Sequence, residues 1–157
     1  ETLHTTTPKI ASTADPSRKM SKSAGVKHYI SIFADEARIR KQIKSAVTDT
    51  GETPEGEMSA GVTNLFTLIQ ASGLQTEHDQ LMETYHAGNL RYVDLKAAAA
   101  EGLVQLSAGF KAKRAELNAD KKNVKNQIKT SSYDIRKRAQ ETLREVKELT
   151  GLMNVKF

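Results

Sequence analysis

Ile39-Arg40-Lys41-Gln42-Ile43-Lys44-Ser45-Ala46-Val47-Thr48-Asp49 decides the fold class of this 157-residue chain. Ile39, Ile43 and Val47 recur at steps of four, while Arg38, Lys41 and Lys44 fall on the remaining face. That period belongs to an amphipathic helix with one side turned to a core. Asp35-Glu36 sets acid at the positive end of its dipole, and Thr48-Asp49-Thr50-Gly51 closes it. Toward the C-terminus, residues 51–58 form an acidic loop, and Ser59 or Thr63 caps a helix rich in Leu65, Phe66, Leu68 and Ile69. Ser72-Gly73 stops that helix, and Thr76-Glu77-His78-Asp79 opens another through Leu81, Met82 and Tyr85.

Residues 91–118 run without proline, with Ala97 to Ala100 as strong helix formers. Val93, Leu103, Leu106, Phe110 and Leu117 supply its apolar stripe. A last helix spans 131–150 on Ile135, Ala139, Leu143, Val146 and Leu149, and Gly151 is its stop. Toward the N-terminus, Tyr29-Ile30-Ser31-Ile32-Phe33 reads as a brief strand. Thr5, Thr6 and Thr7 before Pro8 carry loop chemistry, and Asp15-Pro16-Ser17 reads as a turn. No strand–helix alternation follows, so these residues alone build no doubly wound sheet. The expectation is a mainly α chain, a helical bundle behind a loop extension.

Composition narrows the function classes. Twenty-four Lys+Arg stand against 19 Asp+Glu, for a net charge of +5, and there is no cysteine. A disulfide scaffold and a thiolate metal site are excluded, and the usage fits a reducing cytoplasm. No apolar run approaches a membrane span and no charged-then-apolar leader opens the chain, so neither membrane nor secretion is expected. Residues 1–78 hold nine basic and nine acidic side chains, so the whole excess lies in 79–157. Within it, 111–138 carries ten basic residues against Glu116, Asp120 and Asp134. Such a stretch favours a polyanion, because each cation set against a phosphate releases a condensed counterion.

Lys19-Met20-Ser21-Lys22-Ser23 carries the chemistry. Two lysines three apart, with small hydroxyls between them and Gly25 after, describe a cationic loop able to lie over a triphosphate. It would stabilise the charge that develops as pyrophosphate leaves. Lysine is a compact point charge that follows a moving phosphate. Ser21, Ser23 and the amides near Gly25 can donate to its oxygens. Other constellations are weaker. His4, His28, His78 and His86 lack zinc spacing, and Glu52, Glu55 and Glu57 lack the alternation of a calcium loop. Tyr85, Tyr92 and Phe110 read as core or half-buried packing rather than base-stacking platforms.

The same pentapeptide resembles the signature loop of class I aminoacyl-tRNA synthetases, and its surroundings resemble the tryptophanyl-tRNA synthetases. Thr7-Pro8-Lys9 and Asp15-Pro16-Ser17-Arg18 look like the approach to that loop. Ile39 to Asp49 looks like the helix after it, and Gly61-Val62-Thr63-Asn64-Leu65 like the family's PGVSNLL segment, with Ala60 for the proline. Tyr85, Gly88, Tyr92, Leu95-Lys96, Arg138-Ala139, Val146 and Gly151-Leu152 continue the likeness in order. Where many relatives have Asp-Pro after the loop, this chain has Ala24-Gly25-Val26.

The resemblance implies residues 1–33 as the end of a Rossmann-type catalytic domain and 34–157 as a helical, anticodon-binding-type domain. It implies a homodimeric, cytoplasmic parent that joins tryptophan to its tRNA with ATP, Mg2+ accompanying the nucleotide. Lys19 and Lys22 would be catalytic, and Ile10, Lys19, Met20, Ser21, Lys22 and Ser23 would contact ATP. By charge alone, Arg91, Lys111, Lys113, Arg114, Arg136, Lys137 and Arg138 are the candidates for tRNA. The family's His-Ile-Gly-His-type motif and tryptophan pocket are not in this chain. Glu1 therefore reads as a cut end, and the piece alone is expected to be inactive. A tyrosyl-tRNA synthetase fragment is the near alternative, against which Ile39 to Asp49 argues. A non-catalytic basic RNA-binding module and a self-associating bundle are the distant ones, and neither gives Lys19 and Lys22 a role.

Overall fold

In a computed structural model, residues 7, 9–49, 51, 53 and 56–152 are described. Thr5, Thr6 and Pro8 of the expected loop lie outside them, as do Glu52 and Glu55 of the acidic loop. Five helices follow in order: α1 (Glu36–Lys44), α2 (Ala60–Ala71), α3 (Gln75–His86), α4 (Tyr92–Ala119) and α5 (Lys121–Leu149). The chain divides into two compact units, Glu1–Ala112 and Lys113–Phe157.

In the first unit, Ile39 and Ile43 deliver one face of α1 to a core. The helix ends at Lys44 rather than at Thr48 to Gly51, so Val47 lies beyond it, where its amide donates to the Thr13 carbonyl at 2.9 Å. Ile39 and Ile43 of α1 are fully buried, with Ala46 just after the helix. Val62, Leu65, Phe66, Leu68 and Ile69 of α2 meet Leu95, Ala99, Ala100 and Leu103 of α4 in the same cluster. Each large side chain of this kind contributes roughly 1.5–3 kcal/mol on burial. Ser59 caps α2, accepting from the Val62 amide at 3.3 Å. Gly61 is dictated by proximity, since a Cβ there would run into the Val47 and Thr48 carbonyls. α3 lies along α2, with His78 and Tyr85 edge-on to the Phe66 ring at 5.4 and 6.4 Å.

Four further expectations are corrected. α3 starts at Gln75 with no side-chain cap, so Thr76 is inside the helix rather than at its start. Val93, Phe110 and Leu117 of the α4 stripe are exposed. Tyr29 to Phe33 forms no strand, since the one β-bridge among the described residues joins Ala11 to Lys19. No neighbouring strand offers that segment a ladder, and helix side chains take its carbonyls instead. Gln42 donates to the Tyr29 carbonyl, Ser107 Oγ to that of Ile32 at 2.6 Å and Lys111 Nζ to that of Ala34 at 2.6 Å.

The fourth correction concerns the second unit. α5 begins at Lys121, well before 131, because Asp120 accepts from the Asn123 amide at 3.0 Å and so caps it. Gly151, at φ 72°, ends it as expected. Yet none of its residues is buried, Ile135, Leu143, Val146 and Leu149 included. The apolar period is real, but among the described residues it faces no core.

Candidate functional site

The loop that carries Lys19 to Ser23 stands on a closed base. The Ser12 amide donates to the Arg18 carbonyl at 2.8 Å and the Met20 amide to that of Ile10 at 3.0 Å, closing the Ala11–Lys19 bridge. Asp15-Pro16-Ser17 makes the expected turn: Ser17 Oγ donates to Asp15 Oδ1 at 2.6 Å, and this bond leads in holding the Asp15 carboxyl below its ordinary pKa. Buried polar side chains then tie the base to its surroundings. Asn64 of α2 accepts from the Ala11 amide at 2.9 Å and donates to its carbonyl at 3.1 Å. Thr13 Oγ1 donates to the Lys27 carbonyl at 2.8 Å, and Ser12 Oγ pairs with His28 Nδ1 at 2.9 Å. Nothing in a hydrophobic pattern marks Ser12, Thr13 and Asn64, so sequence reading passed over them as holders of this loop.

Above that base the loop turns through a 3-10 helix, Lys22–Ala24, closed by the Gly25 amide donating to the Lys22 carbonyl at 3.1 Å. Gly25 sits at φ 107°, a conformation that a side chain resists. The loop wraps a hollow of about 340 Å³ lined by Arg18, Lys19, Ser21, Ser23, Ala24 and His28. Ser21 and Ser23 hydroxyls bond each other at 2.8 Å, and Lys22 rests its ammonium 5.9 Å from the Tyr29 ring centroid. The loop's cations are exposed. Ile10 and Met20 lie apart from the hollow, half-buried together over an apolar gap with Ile39, Leu68 and Leu103.

The cations chosen by charge divide by what holds them. Arg91 makes a two-pronged pair with Asp94 at 2.6 and 2.8 Å, and Lys113 reaches both oxygens of Glu116 at 2.8 Å. Lys111 is engaged with the Ala34 carbonyl. Arg114, at the surface of α4, is engaged as well, whereas Arg136, Lys137 and Arg138 are exposed on α5. Consecutive helical residues point about 100° apart, so those last three fan around α5 and face no single phosphate row. Lys122, Lys125, Lys129 and Arg136, at steps of three, four and seven, share one side. That stripe becomes visible only once the helix is known to start at Lys121.

Among the described residues, no three His, Cys, Asp or Glu side chains gather as metal ligands, and no helix is long and apolar enough to cross a membrane. Residues 1–108 match the family of tRNA synthetases class I (W and Y). A tryptophan–tRNA ligase of Enterococcus faecalis is 35% identical over 147 residues, covering 92% of this chain and 43% of that protein. One from Clostridium perfringens is 33% identical over the same shares. The crystal structure of tryptophanyl-tRNA synthetase from Mycoplasma pneumoniae superimposes with a TM-score of 0.57 at 29% identity, over 69% of this chain and 34% of that one. The chain spans less than half the length of these relatives. With the loop, its frame and the helices α1 to α3 all inside one family match, the chain belongs to the class I tRNA synthetases of the tryptophan and tyrosine group, where these relatives are tryptophan–tRNA ligases.

Proposed function

We propose that this chain is the part of a tryptophan–tRNA ligase that supplies the ATP-phosphate loop and the tRNA-binding helices. The whole enzyme, a cytoplasmic homodimer, activates tryptophan with ATP and passes it to tRNA. The observation that carries this reading is the hollow inside the loop, lined by two cations, two serine hydroxyls and an imidazole. Such a lining suits a polyphosphate. Lys19 and Lys22 would stabilise the charge that builds on the departing pyrophosphate, and Ser21 and Ser23 would turn from each other to phosphate oxygens. Lys22 is free to follow, because an exposed cation–π contact of roughly 0.5–1 kcal/mol is weaker than a pairing with phosphate. Mg2+ enters with the nucleotide, neutralising part of its charge.

The buried polar frame gives the loop two fixed feet, on the segments of Ala11 and Lys27, so that motion is confined to the turn between them. On the RNA side, the Lys122, Lys125, Lys129 and Arg136 stripe supports backbone contact, each such cation adding to the salt dependence of binding. A basic module without catalysis would leave the loop hollow unexplained.

Replacing the matching segment of the Enterococcus faecalis relative with this chain tests the reading. The chimaera should support tryptophan-dependent ATP–pyrophosphate exchange, and the 157-residue chain alone should not. In the chimaera, Lys22→Ala should lower exchange by roughly 10²–10³-fold, the scale for losing one transition-state donor. Unchanged exchange in that variant would refute the role given to Lys22.

A further inference from the structure

The imidazole in the wall of the loop's hollow has one ring nitrogen engaged and one open. His28 is half-buried, and its Nδ1 lies 2.9 Å from Ser12 Oγ. Ser12 is fully buried, and its oxygen already accepts from the Ala14 amide at 3.2 Å and the Asp15 amide at 3.1 Å. A hydroxyl oxygen has two lone pairs and one proton. With both lone pairs taken by amides, Ser12 donates its proton to His28. Nδ1 is then the acceptor, and the ring's own proton stays on Nε2. No hydrogen bond reaches Nε2 among the described residues.

The tautomer decides the sign of any contact made there. A ring protonated on Nδ1 alone would show a lone pair at Nε2 and repel phosphate oxygens. The tautomer set by Ser12 shows an N–H instead. His28 lines the hollow together with Arg18, Lys19, Ser21 and Ser23, a lining that draws an anionic acceptor toward that N–H.

The backbone carrying the ring is held as well. The His28 amide donates to the Gly25 carbonyl at 3.0 Å, and the Lys27 carbonyl accepts from Thr13 Oγ1 at 2.8 Å. Gln42 of α1 donates to the carbonyls of Val26, at 3.2 Å, and of Tyr29. His28 therefore stands on a fixed foot of the loop, whereas Lys22 rides on the turn. A fixed neutral N–H adds direction where the lysines add charge.

We propose that His28 Nε2 is a phosphate-binding donor of this hollow, aimed by Ser12, and that it takes an oxygen of the nucleotide's polyphosphate. The assignment rests on the proposed ATP-phosphate role of the loop. It adds a residue beyond Lys19 to Ser23, one that sequence reading weighed only as a zinc ligand.

The test follows the imidazole nitrogens of the 157-residue chain by heteronuclear NMR, with inorganic tripolyphosphate as the probe. The measurement is made at about pH 8, where an ordinary histidine is neutral. His28 should show a bare Nδ1 and a protonated Nε2, and tripolyphosphate should shift its Nε2–H resonance. Two substitutions separate binding from support. An Asn amide overlays Nδ1 and keeps the Ser12 bond, whereas a Gln amide overlays Nε2 and keeps the donor. His28→Asn should weaken tripolyphosphate about tenfold, the low end for a bond to a charged acceptor. The factor should be the same at low and high salt, because no charge is removed. His28→Gln should restore binding. A proton on Nδ1, affinity that His28→Asn leaves intact, or a loss common to Asn and Gln overturns the role of His28. Lys22→Ala weakening the same binding would then leave the phosphate reading of the loop standing. No binding, or binding insensitive to both positions, overturns both.

Discussion

α2 and α5 are both regular helices with apolar residues at helical spacing, yet they are held in opposite ways. α2 has 12 residues and buries seven. α5 has 29 and buries none. The order of α2 comes from tertiary packing: Leu65, Phe66, Leu68 and Ile69 enter the core, and Gly61 brings its first turn against the Val47 and Thr48 carbonyls. α5 relies on local terms, namely Asp120 at one end, Gly151 at the other, and pairs such as Arg144–Glu148 along its side. Helical periodicity therefore states that a face is apolar; it does not state that the face is covered.

The strongest way to break this contrast is to truncate one side chain in each helix. Ile69→Ala opens a fully buried site and should cost about 2–5 kcal/mol. Ile135→Ala, at a side chain 68% exposed, should cost less than about 0.5 kcal/mol. Urea unfolding followed by amide exchange of α2 separates the two. An equal cost would mean that α5 is covered in solution.

Gly61→Ala comes next. The new methyl has no flexible neighbour to push aside, because the atoms it meets are backbone carbonyls. Overpacking of this kind should cost about 1–3 kcal/mol. The same change at Gly109, whose surroundings are open, should stabilise α4 by a few tenths to 1 kcal/mol through helix propensity. Thermal unfolding of the pair checks both signs.

These contrasts show which parts of the molecule were legible. Ser59 as a cap, Gly73 and Gly151 as stops, and the buried face of Ile39 and Ile43 follow from local chemistry that short stretches carry whole. Lys19 to Ser23 was legible as a turn for another reason: small hydroxyl residues followed by Gly25 suit the 3-10 turn at Lys22–Ala24 and its closure at positive φ. Tyr29 to Phe33 was misread because β-branched residues declare an extended chain, whereas a strand also needs a partner. Lys111 shows a contact that charge alone did not mark, since its ammonium donates to the Ala34 carbonyl. Tyr92 and Phe110, read as core or half-buried packing, stand 42% and 49% exposed, since no pattern distinguishes an aromatic that packs from one that faces water.

Asp120→Ala sharpens the comparison at the cap. It removes the acceptor for the Asn123 amide and should cost the α5 terminus about 1 kcal/mol. Exchange of the first α5 amides should quicken while α2 amides stay unchanged. Ser59→Ala should do the reverse, weakening the capped α2.

The smallest expected effect concerns the charges joining α1 to α4. Glu101 accepts from Arg40 at 2.8 Å, and that bond, followed by one from Gln105, lowers its carboxyl pKa from the ordinary 4.5. A carboxyl with a lowered folded pKa stabilises the fold above its unfolded value. That contribution disappears as pH falls through the folded one. Glu101→Gln should therefore lower stability slightly near neutrality, and the gap to the unmodified chain should close well below pH 4.5. The effect stays small because the pair is half exposed and water screens it, and because Glu36 still holds Arg40. Urea midpoints of both chains across the acid range read the result. A gap that persisted in acid would show that Glu101 acts through shape rather than charge, leaving the Lys96 bond to the Lys44 carbonyl as the polar link between α1 and α4 beside their packing.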